Sequence, residues 1–172
     1  MMQAIRPIDK QDIPALVDLI NESYRNDNEG AWTTEAHLFA EGGKRIDAAE
    51  IETVVSDPGN HVLKYEKDGI ILGTVTLTEK EEAIYLGTLA VSPLSQGQGI
   101  GKKFLYFAKD LAAQKGKKQV TLTVISVRQE LIGWYERFGF KMTGNTVPFP
   151  AAGHVLSTPK ETLFFEEMAL NV

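Results

Sequence analysis

Hydrophobic residues recur along this chain in two patterns, one typical of helices and one typical of strands. Apolar positions three or four residues apart predict helices over residues 12–24, 34–40, 47–55, 100–115 and 128–138. Continuous or alternating apolar runs predict strands over residues 4–7, 62–65, 70–77, 84–91, 119–125 and 163–170, with a further strand beginning at Phe140. Because strands precede and follow both helices beyond residue 100, the pattern predicts an α/β or α+β domain with a mixed sheet.

Short polar segments with turn chemistry separate these elements. Asp12 is predicted to cap the first helix, and Pro14 lies in its first turn. Asp68 and Gly69 form a two-residue hairpin signal between two apolar runs. Residues 146–159 contain three prolines, so we expect irregular structure there rather than a strand.

Composition narrows the class of protein without identifying it. The 172 residues, 43% of them hydrophobic, suffice for one domain over residues 1–172 with a full core. The net charge of −5 argues against nucleic-acid binding, which usually needs a basic face. No apolar run approaches the ~20 residues that cross a bilayer, and residues 1–10 hold no signal-peptide run, so we expect a cytoplasmic protein without a membrane partner. The absence of cysteine excludes disulfides, thiolate metal sites and a cysteine nucleophile, and we expect no metal.

A glycine-rich loop over residues 92–101 joins a predicted strand to a predicted helix. Free N–H groups and the positive end of the helix dipole make such a helix start a binding site for anions. Gly97, Gly99 and Gly101 allow a backbone to approach phosphate oxygens closely, and Lys102 and Lys103 add positive charge beside them.

Three phosphate-binding spacings can be compared with this loop. The P-loop requires G-x-x-x-x-G-K-[ST], but Gln96 stands five residues before Gly101, and Lys103 occupies the Ser or Thr position. The dinucleotide-binding G-x-G-x-x-G fits poorly, because its third glycine comes one position early and no acid stands about 20 residues further on. The third spacing, Q-x-x-G-x-G, is matched by Gln96, Gly99 and Gly101 after the Leu-Ala-Val-Ser-Pro run of residues 89–93.

The third spacing and a second segment resemble the GCN5-related N-acetyltransferase (GNAT) superfamily. The second segment, W-Y-E-R-F-G-F over residues 134–140, is similar to the Y-E-[KR]-x-G-F segment of that family. The resemblance covers residues 61–140 and, more loosely, the whole chain. It implies a mixed, mostly antiparallel sheet with a central splay, flanked by helices, and acetyl-CoA as the co-substrate.

The resemblance also implies roles for individual residues. In this family the pantetheine arm of coenzyme A lies in the splay, beside a strand that here contains Leu89, whose amide would polarise the thioester carbonyl. Tyr135 matches the tyrosine that returns a proton to the departing thiolate, and a phenol is protonated at neutral pH. The implied residues that bind coenzyme A are Leu89, Ala90, Val91, Gln96, Gly97, Gln98, Gly99, Ile100, Gly101, Lys102 and Arg128.

The chain departs from the family pattern at two places. Arg128 stands where members often have an asparagine that contacts pantetheine, and it could instead reach a phosphate, reach a substrate carboxylate or pair with Glu130. Many members also carry a glutamate base on the strand before the glycine loop, where this chain has uncharged residues, namely Tyr85, Gly87 and Thr88. The candidate bases that remain are His37, Glu130 and backbone carbonyls that relay the proton to water.

The sequence gives weaker signals for the residues that bind the acceptor than for those that bind coenzyme A. In this fold the acceptor usually meets the thioester between the first helical hairpin and the loop before the last strand, here about residues 24–45 and 144–159. The candidate acceptor-binding residues are Tyr24, Trp32, Arg45, Phe149 and His154. Arg45 and Arg128 would suit an acceptor that bears a carboxylate, such as an amino acid or small peptide.

These inferences predict an acetyltransferase that moves an acetyl group from acetyl-CoA to a primary amine of a small molecule or peptide by direct attack. The absence of a cysteine nucleophile agrees with direct attack. Two alternatives stay open: a non-catalytic module that binds or senses acyl-CoA, which the missing strand glutamate favours, and a transferase for a longer acyl donor, for which Gly87 would widen the pocket. A homodimer is compatible with the resemblance, since many small proteins of this fold dimerise.

Overall fold

The structure is a computed structural model that describes residues 5–25, 46–95, 97–148 and 164–172, apart from the side chains of Tyr24, Arg25 and Leu94. The predicted helix over residues 34–40 lies outside the described residues.

Seven strands form one sheet at the centre of the molecule. They are β1 (Ile5–Pro7), β2 (Asn60–Lys67), β3 (Ile70–Glu79), β4 (Ala83–Val91), β5 (Gln119–Ile125), β6 (Lys141–Pro148) and β7 (Phe164–Asn171). Their order across the sheet is β1-β2-β3-β4-β5-β7-β6. Every neighbouring pair is antiparallel except β4 and β5, which are parallel. The sheet is therefore mixed and mostly antiparallel, as predicted.

Four α-helices among the described residues cover the two faces of this sheet. They are α1 (Ile13–Arg25), α2 (Ala48–Ser56), α3 (Ile100–Gln114) and α4 (Gln129–Phe138), and short 3-10 helices cover Lys10–Asp12 and Pro93–Ser95. Helix α2 starts where the Asp47 side chain accepts a 2.9 Å hydrogen bond from the Glu50 amide. Helix α4 ends at Gly139, whose φ of 125° suits glycine rather than a residue with a side chain.

Two hydrophobic clusters form the core, one on each face of the sheet. The larger cluster packs α3 and α4 on the sheet, with Phe104 and Phe140 among its largest fully buried side chains. The smaller cluster packs α1 and α2 on the other face and includes Leu16, Ile51 and Ala90 of β4. Each face of the sheet thus packs against its own pair of helices, whereas the edge strand β6 is exposed.

The structure corrects two local expectations and confirms a third. Asp12 does not cap α1 but lies in the preceding 3-10 helix, where its carboxylate accepts a hydrogen bond from the Asp9 amide. Residues 146–148, expected to be irregular, belong to β6 because they pair with β7, and Pro148 lies at the end of an edge strand, where a ladder donor is not needed. Asp68 and Gly69 have φ values of 54° and 79°, which confirms the tight hairpin between β2 and β3.

Candidate active site

The two central strands separate halfway along their length. Strands β4 and β5 pair only from Ala83 opposite Gln119 to Leu86 opposite Leu122. Beyond that point β4 continues along β3, while β5 continues along β7 as far as Ile125. A wedge-shaped gap therefore opens in the middle of the sheet.

A bulge in β4 lies where this gap begins. Thr74 of β3 pairs with Ala90 and Thr76 pairs with Gly87, so Val75 alone faces two residues of β4. One of the two is Thr88, whose φ of 40° is left-handed and uncommon for a β-branched residue. The bulge changes which side chains face each layer. Ala90 joins the α1 and α2 cluster, whereas Leu89 and Val91 line a cavity.

This cavity has a volume of about 370 Å³ and joins the end of β4, the glycine loop and α4. Its lining residues among those described are Ser23, Leu89, Val91, Ser95, Gly97, Gly99, Ile100, Gly101, Lys102, Arg128, Leu131, Trp134, Tyr135 and Arg137. The cavity thus brings together nine of the residues that the sequence indicated, from three separate elements.

The glycine loop forms one end of the cavity. Gly97 and Gly99 have φ values of 89° and 82°, and Gly99 is the N-cap residue of α3. The first turn of α3 contains no acidic residue, so its N-terminus presents N–H groups and the positive dipole end to the cavity. This end of the cavity is suited to an anion such as a pyrophosphate.

Gly101 has a packing contact that the other two glycines lack. A Cβ atom built there would lie 3.0 Å from the Cη2 atom of Trp134, so a side chain would press on that ring. Gly101 therefore allows close packing of α3 on Trp134 of α4, and it also lines the cavity, where the sequence indicated close approach to phosphate.

Tyr135 lies in the wall of the cavity. Its side chain is 5% exposed and makes edge-on ring contacts with Trp134 and Phe140, at centroid distances of 5.1 and 5.6 Å. These contacts restrict the ring to one orientation, and Tyr135 is among the cavity-lining residues.

Arg128 is a buried cation in the same cavity. It precedes the first turn of α4 and is 4% exposed, and its Nε atom lies 3.7 Å from Oε1 of Glu130. The pairing with Glu130, one of three alternatives for Arg128, is therefore present in the structure. An anionic ligand in the cavity would meet this guanidinium as well as the helix N-terminus.

Other predicted residues lie elsewhere or outside the described residues. Ala90 packs towards α1, and Gln98 is exposed in the loop and is not among the described lining residues. The predicted residues that lie outside the described residues are Trp32, His37, Arg45, Gln96, Phe149 and His154, together with the side chain of Tyr24.

Sequence reasoning missed several lining residues. Ser23 of α1 is buried, and its hydroxyl donates a 3.1 Å hydrogen bond to the carbonyl of Val91. A single serine on a helix carries no pattern that indicates this contact. Leu131 and Arg137 also line the cavity, and their spacing from Arg128 and Trp134 on one helix face could have indicated them.

The described residues form neither a metal site nor a membrane-spanning helix. No three or more His, Asp or Glu side chains among them lie together as a metal site would require. None of the described helices is long and apolar enough to cross a bilayer.

Comparison with known proteins agrees with this fold. The family described as acetyltransferase (GNAT) domain matches residues 23–155. Human N-acetyltransferase 8B is 28% identical over 109 residues, which are 59% of this chain and 48% of that protein. A probable N-acetyltransferase, camello, from Xenopus laevis is 29% identical over 118 residues, 66% of this chain and 54% of that protein. The chain thus spans about half the length of the curated relatives it matches.

Solved structures show the same fold over almost the whole chain. The Escherichia coli ribosomal-protein-S18-alanine N-acetyltransferase superposes with a TM-score of 0.72 at 17% identity, covering 99% of this chain and 94% of that one. A putative acetyltransferase from Salmonella typhimurium, solved with its cofactor acetyl-CoA, has a TM-score of 0.63 at 20% identity, with coverages of 99% and 94%. The family match covers more than half of the chain, and the chain belongs to the GNAT acetyltransferase family.

Proposed function

We propose that this chain is an N-acetyltransferase that moves an acetyl group from acetyl-CoA to a primary amine of a small molecule or peptide. The observation that carries the proposal is the cavity in the sheet splay, which joins an anion-binding helix N-terminus to the ring of Tyr135. This arrangement matches the two halves of the donor, a charged pyrophosphate at one end and a thioester at the other.

The residues that line the cavity match successive parts of acetyl-CoA, from its pyrophosphate to its pantetheine arm. The N-terminus of α3, with Gly97, Gly99 and Lys102, binds the pyrophosphate, and Arg128 adds a second positive charge. The pantetheine arm lies in the gap between β4 and β5, beside Leu89 and Val91.

The reaction is a direct attack by a neutral amine. The amine nitrogen bonds to the thioester carbon, the amide of Leu89 stabilises the negative charge on the carbonyl oxygen, and the carbon–sulfur bond then breaks. Tyr135 gives its hydroxyl proton to the departing thiolate, and the proton released by the new amide nitrogen restores the phenol through water.

Release of free thiol from acetyl-CoA in the presence of a panel of amines tests this proposal. We expect thiol to appear only when an amine is present, together with an equal amount of acetylated product. Binding of acetyl-CoA without product from any amine would contradict it.

That same outcome would favour the alternative of a non-catalytic acyl-CoA sensor. The observation in favour of a sensor is the uncharged end of β4, where Tyr85, Gly87 and Thr88 occupy the segment in which the family often has a glutamate. The longer acyl donor also stays open, and Gly87 is not among the described lining residues of the donor cavity. The cytoplasmic location, the single domain over residues 1–172 and the homodimer stay predictions.

A further inference from the structure

Ser23 is a polar residue at a position where the pattern of α1 predicts an apolar one. The buried face of α1 carries Ile13, Leu16 and Ile20, and Ser23 continues this row at the same spacing of three or four residues. An aliphatic side chain at such a buried position would contribute more to core packing than a hydroxyl does. The serine therefore indicates a role beyond core packing.

The Ser23 hydroxyl bonds to a strand rather than to its own helix. A serine within a helix often donates to the carbonyl four residues before it, which here is that of Leu19. In the structure the hydroxyl donates instead to the carbonyl of Val91, 68 residues further along the chain, at 3.1 Å. The bond therefore ties the last turn of α1 to the end of β4.

The backbone of Val91 points into the gap between the two central strands. The amide of Ser92 donates to the carbonyl of Leu72 at 2.8 Å, so these two residues form a hydrogen-bonded pair of β3 and β4. Such pairs alternate along an antiparallel ladder, so the N–H and C=O groups of the next pair, Val91 with Gly73, point away from each other. This edge of β4 faces the gap, because the pairing with β5 ends at Leu86.

The Ser23 hydroxyl therefore lies on the gap side of β4, and Ser23 is among the residues that line the donor cavity. A hydroxyl has one hydrogen and two lone pairs, and this hydrogen is directed at Val91. What the hydroxyl presents to a ligand in the cavity is thus an acceptor.

The pantetheine arm of coenzyme A is a suitable donor for that acceptor. The arm contains two secondary amides, so it can pair with the edge of a strand as a short peptide does. At the end of β4, Ser23 engages the carbonyl that such a peptide would meet and offers its own oxygen in that place.

We propose that Ser23 is a further binding residue for the donor, whose hydroxyl oxygen accepts a hydrogen bond from an amide N–H of the pantetheine arm. This proposal rests on the proposed function and adds a residue to the same site. The contact fixes how far the arm extends along β4. A strand rises about 3.3 Å per residue, so a shift by one position would move the thioester carbonyl out of reach of the Leu89 amide.

A purely structural role makes a different prediction from a ligand contact. A buried carbonyl needs a donor, so Ser23 also stabilises the fold through Val91. Loss of that bond alone would act on the fold and on every ligand of the cavity alike. Loss of a contact with pantetheine acts only on ligands that contain the arm.

A matched pair of ligands separates these two roles. Adenosine 3′,5′-bisphosphate retains the nucleotide end of coenzyme A and lacks the pantetheine arm. We expect Ser23→Ala to weaken the binding of coenzyme A by about three- to tenfold, as loss of one hydrogen bond does, with the affinity for the bisphosphate unchanged. Calorimetry measures both affinities. Equal changes for the two ligands, or no change for either, would overturn the proposal.

Ser56→Ala provides the control variant. It removes the same atom from an exposed serine of α2, whose hydroxyl donates to the carbonyl of Thr53 at 2.7 Å, and Ser56 is not among the residues that line the donor cavity. Both ligands should bind this variant as they bind the parent. A loss of coenzyme A affinity equal to that of Ser23→Ala would contradict a specific contact with Ser23.

Two variants of nearly equal shape isolate the hydroxyl from the packing of the side chain. Ser23→Thr keeps the hydroxyl and Ser23→Val replaces it with a methyl group, while both add the same bulk. We expect the threonine variant to bind coenzyme A about three- to tenfold more tightly than the valine variant. Urea unfolding shows whether each variant is folded, and equal affinities in two folded variants would overturn the proposal.

Because these measurements require no turnover, they separate this proposal from the proposed function. A selective loss of coenzyme A affinity in Ser23→Ala, with no amine acetylated by the parent, would support the contact and contradict the enzymatic function. Parental affinities in Ser23→Ala, with amines acetylated normally, would overturn the contact and leave the enzymatic function in place.

Discussion

At the scale of single residues, Tyr135 combines a buried, fixed ring with a hydroxyl group and a place in the cavity wall. Trp134 packs against the backbone of Gly101 and Phe138 packs edge-on against Tyr106, so both hold α4 in place. Tyr135 has its ring fixed by Trp134 and Phe140 and also lines the cavity, which gives it the geometry of a proton donor held in one orientation.

We expect Tyr135→Phe to lower kcat on the order of 10²-fold, because it removes the proton donor and keeps the ring. The affinity for acetyl-CoA, measured by calorimetry, should change little, since the hydroxyl acts on the leaving thiolate. Phe138→Tyr, a change of the same atom on a neighbouring ring, provides the control. Turnover equal to that of the parent at every pH would contradict the role of Tyr135.

A second residue-scale feature is the partly buried ion pair of Lys64 with Asp12. Their Nζ and Oδ2 atoms lie 2.8 Å apart, and Glu66 lies 3.4 Å from the same ammonium. Burial acts to raise the pKa of Asp12, but hydrogen bonds from the Asp9 amide and Lys64 outweigh it, and the pKa is lowered from 3.8. The hydrogen bond to Asp12 raises the pKa of Lys64 above 10.5.

These two directions fix the pH range in which the pair stabilises the fold. A lowered carboxyl pKa contributes stability above pH ~4 that is lost as the pH falls through the folded value, and a raised ammonium pKa contributes stability lost only above pH ~10.5. We expect Asp12→Asn to lower the unfolding free energy by about 1.5–3 kcal/mol at pH 7. Urea unfolding should show the difference shrinking at pH 3, and a difference that stays constant with pH would contradict this account.

At the scale of elements, the sequence predicted most of the order but not the geometry that makes the site. Alternation and helical spacing are local signals, so they located β3, β5, α3 and α4 to within a few residues. The splay depends instead on which strands pair beyond Leu86 and Leu122, and pairing is decided by contacts between distant parts of the chain. The resemblance to a family supplied the splay where local patterns could not.

Two residues show why secondary structure cannot be predicted fully from local sequence. Thr88 favours a regular strand by its β-branched side chain, yet it adopts a left-handed φ because the packing of β3 on β4 imposes a bulge there. Pro148 suggested irregular structure, yet the chain pairs with β7 because an edge strand tolerates proline. In both cases tertiary pairing outweighs the propensity of one residue.

Because of the bulge, we expect replacement of threonine by glycine to affect stability differently at Thr88 and at a regular strand position. Thr88→Gly relieves a left-handed φ that costs about 1–3 kcal/mol and loses about 0.5–1 kcal/mol to backbone entropy, so stability should be unchanged or higher. Thr121→Gly, in the regular part of β5, relieves no backbone strain. It has only the entropic cost and should lower the unfolding free energy by about 1 kcal/mol. Urea unfolding of both variants measures this, and an equal loss in the two would mean that Thr88 is not strained.

At the scale of the whole molecule, the donor cavity lies between parts that are distant in the sequence. Strand β4, the glycine loop and the start of α3 form one side, and α4 forms the other. The two sides are linked in the sheet by the short paired stretch of β4 with β5, the strand that precedes α4. A ligand that contacts both sides binds the folded protein and not the unfolded chain, so it raises the midpoint of thermal unfolding.

Coenzyme A at about 100 times its Kd should stabilise the fold by ~2.7 kcal/mol, a rise in Tm of about 5–10 °C for a chain of this size. Lys102→Glu reverses a charge in the first turn of α3 and should remove most of this rise. Lys109→Glu makes the same charge change on an exposed position of the same helix and should retain it. The two variants have the same net charge and differ only in the distance of the substitution from the glycine loop. A thermal-shift titration at fixed ionic strength compares them. If both variants lose the rise in Tm equally, coenzyme A binding depends on the overall charge rather than on the N-terminus of α3. If both retain it equally, the pyrophosphate binds away from the glycine loop.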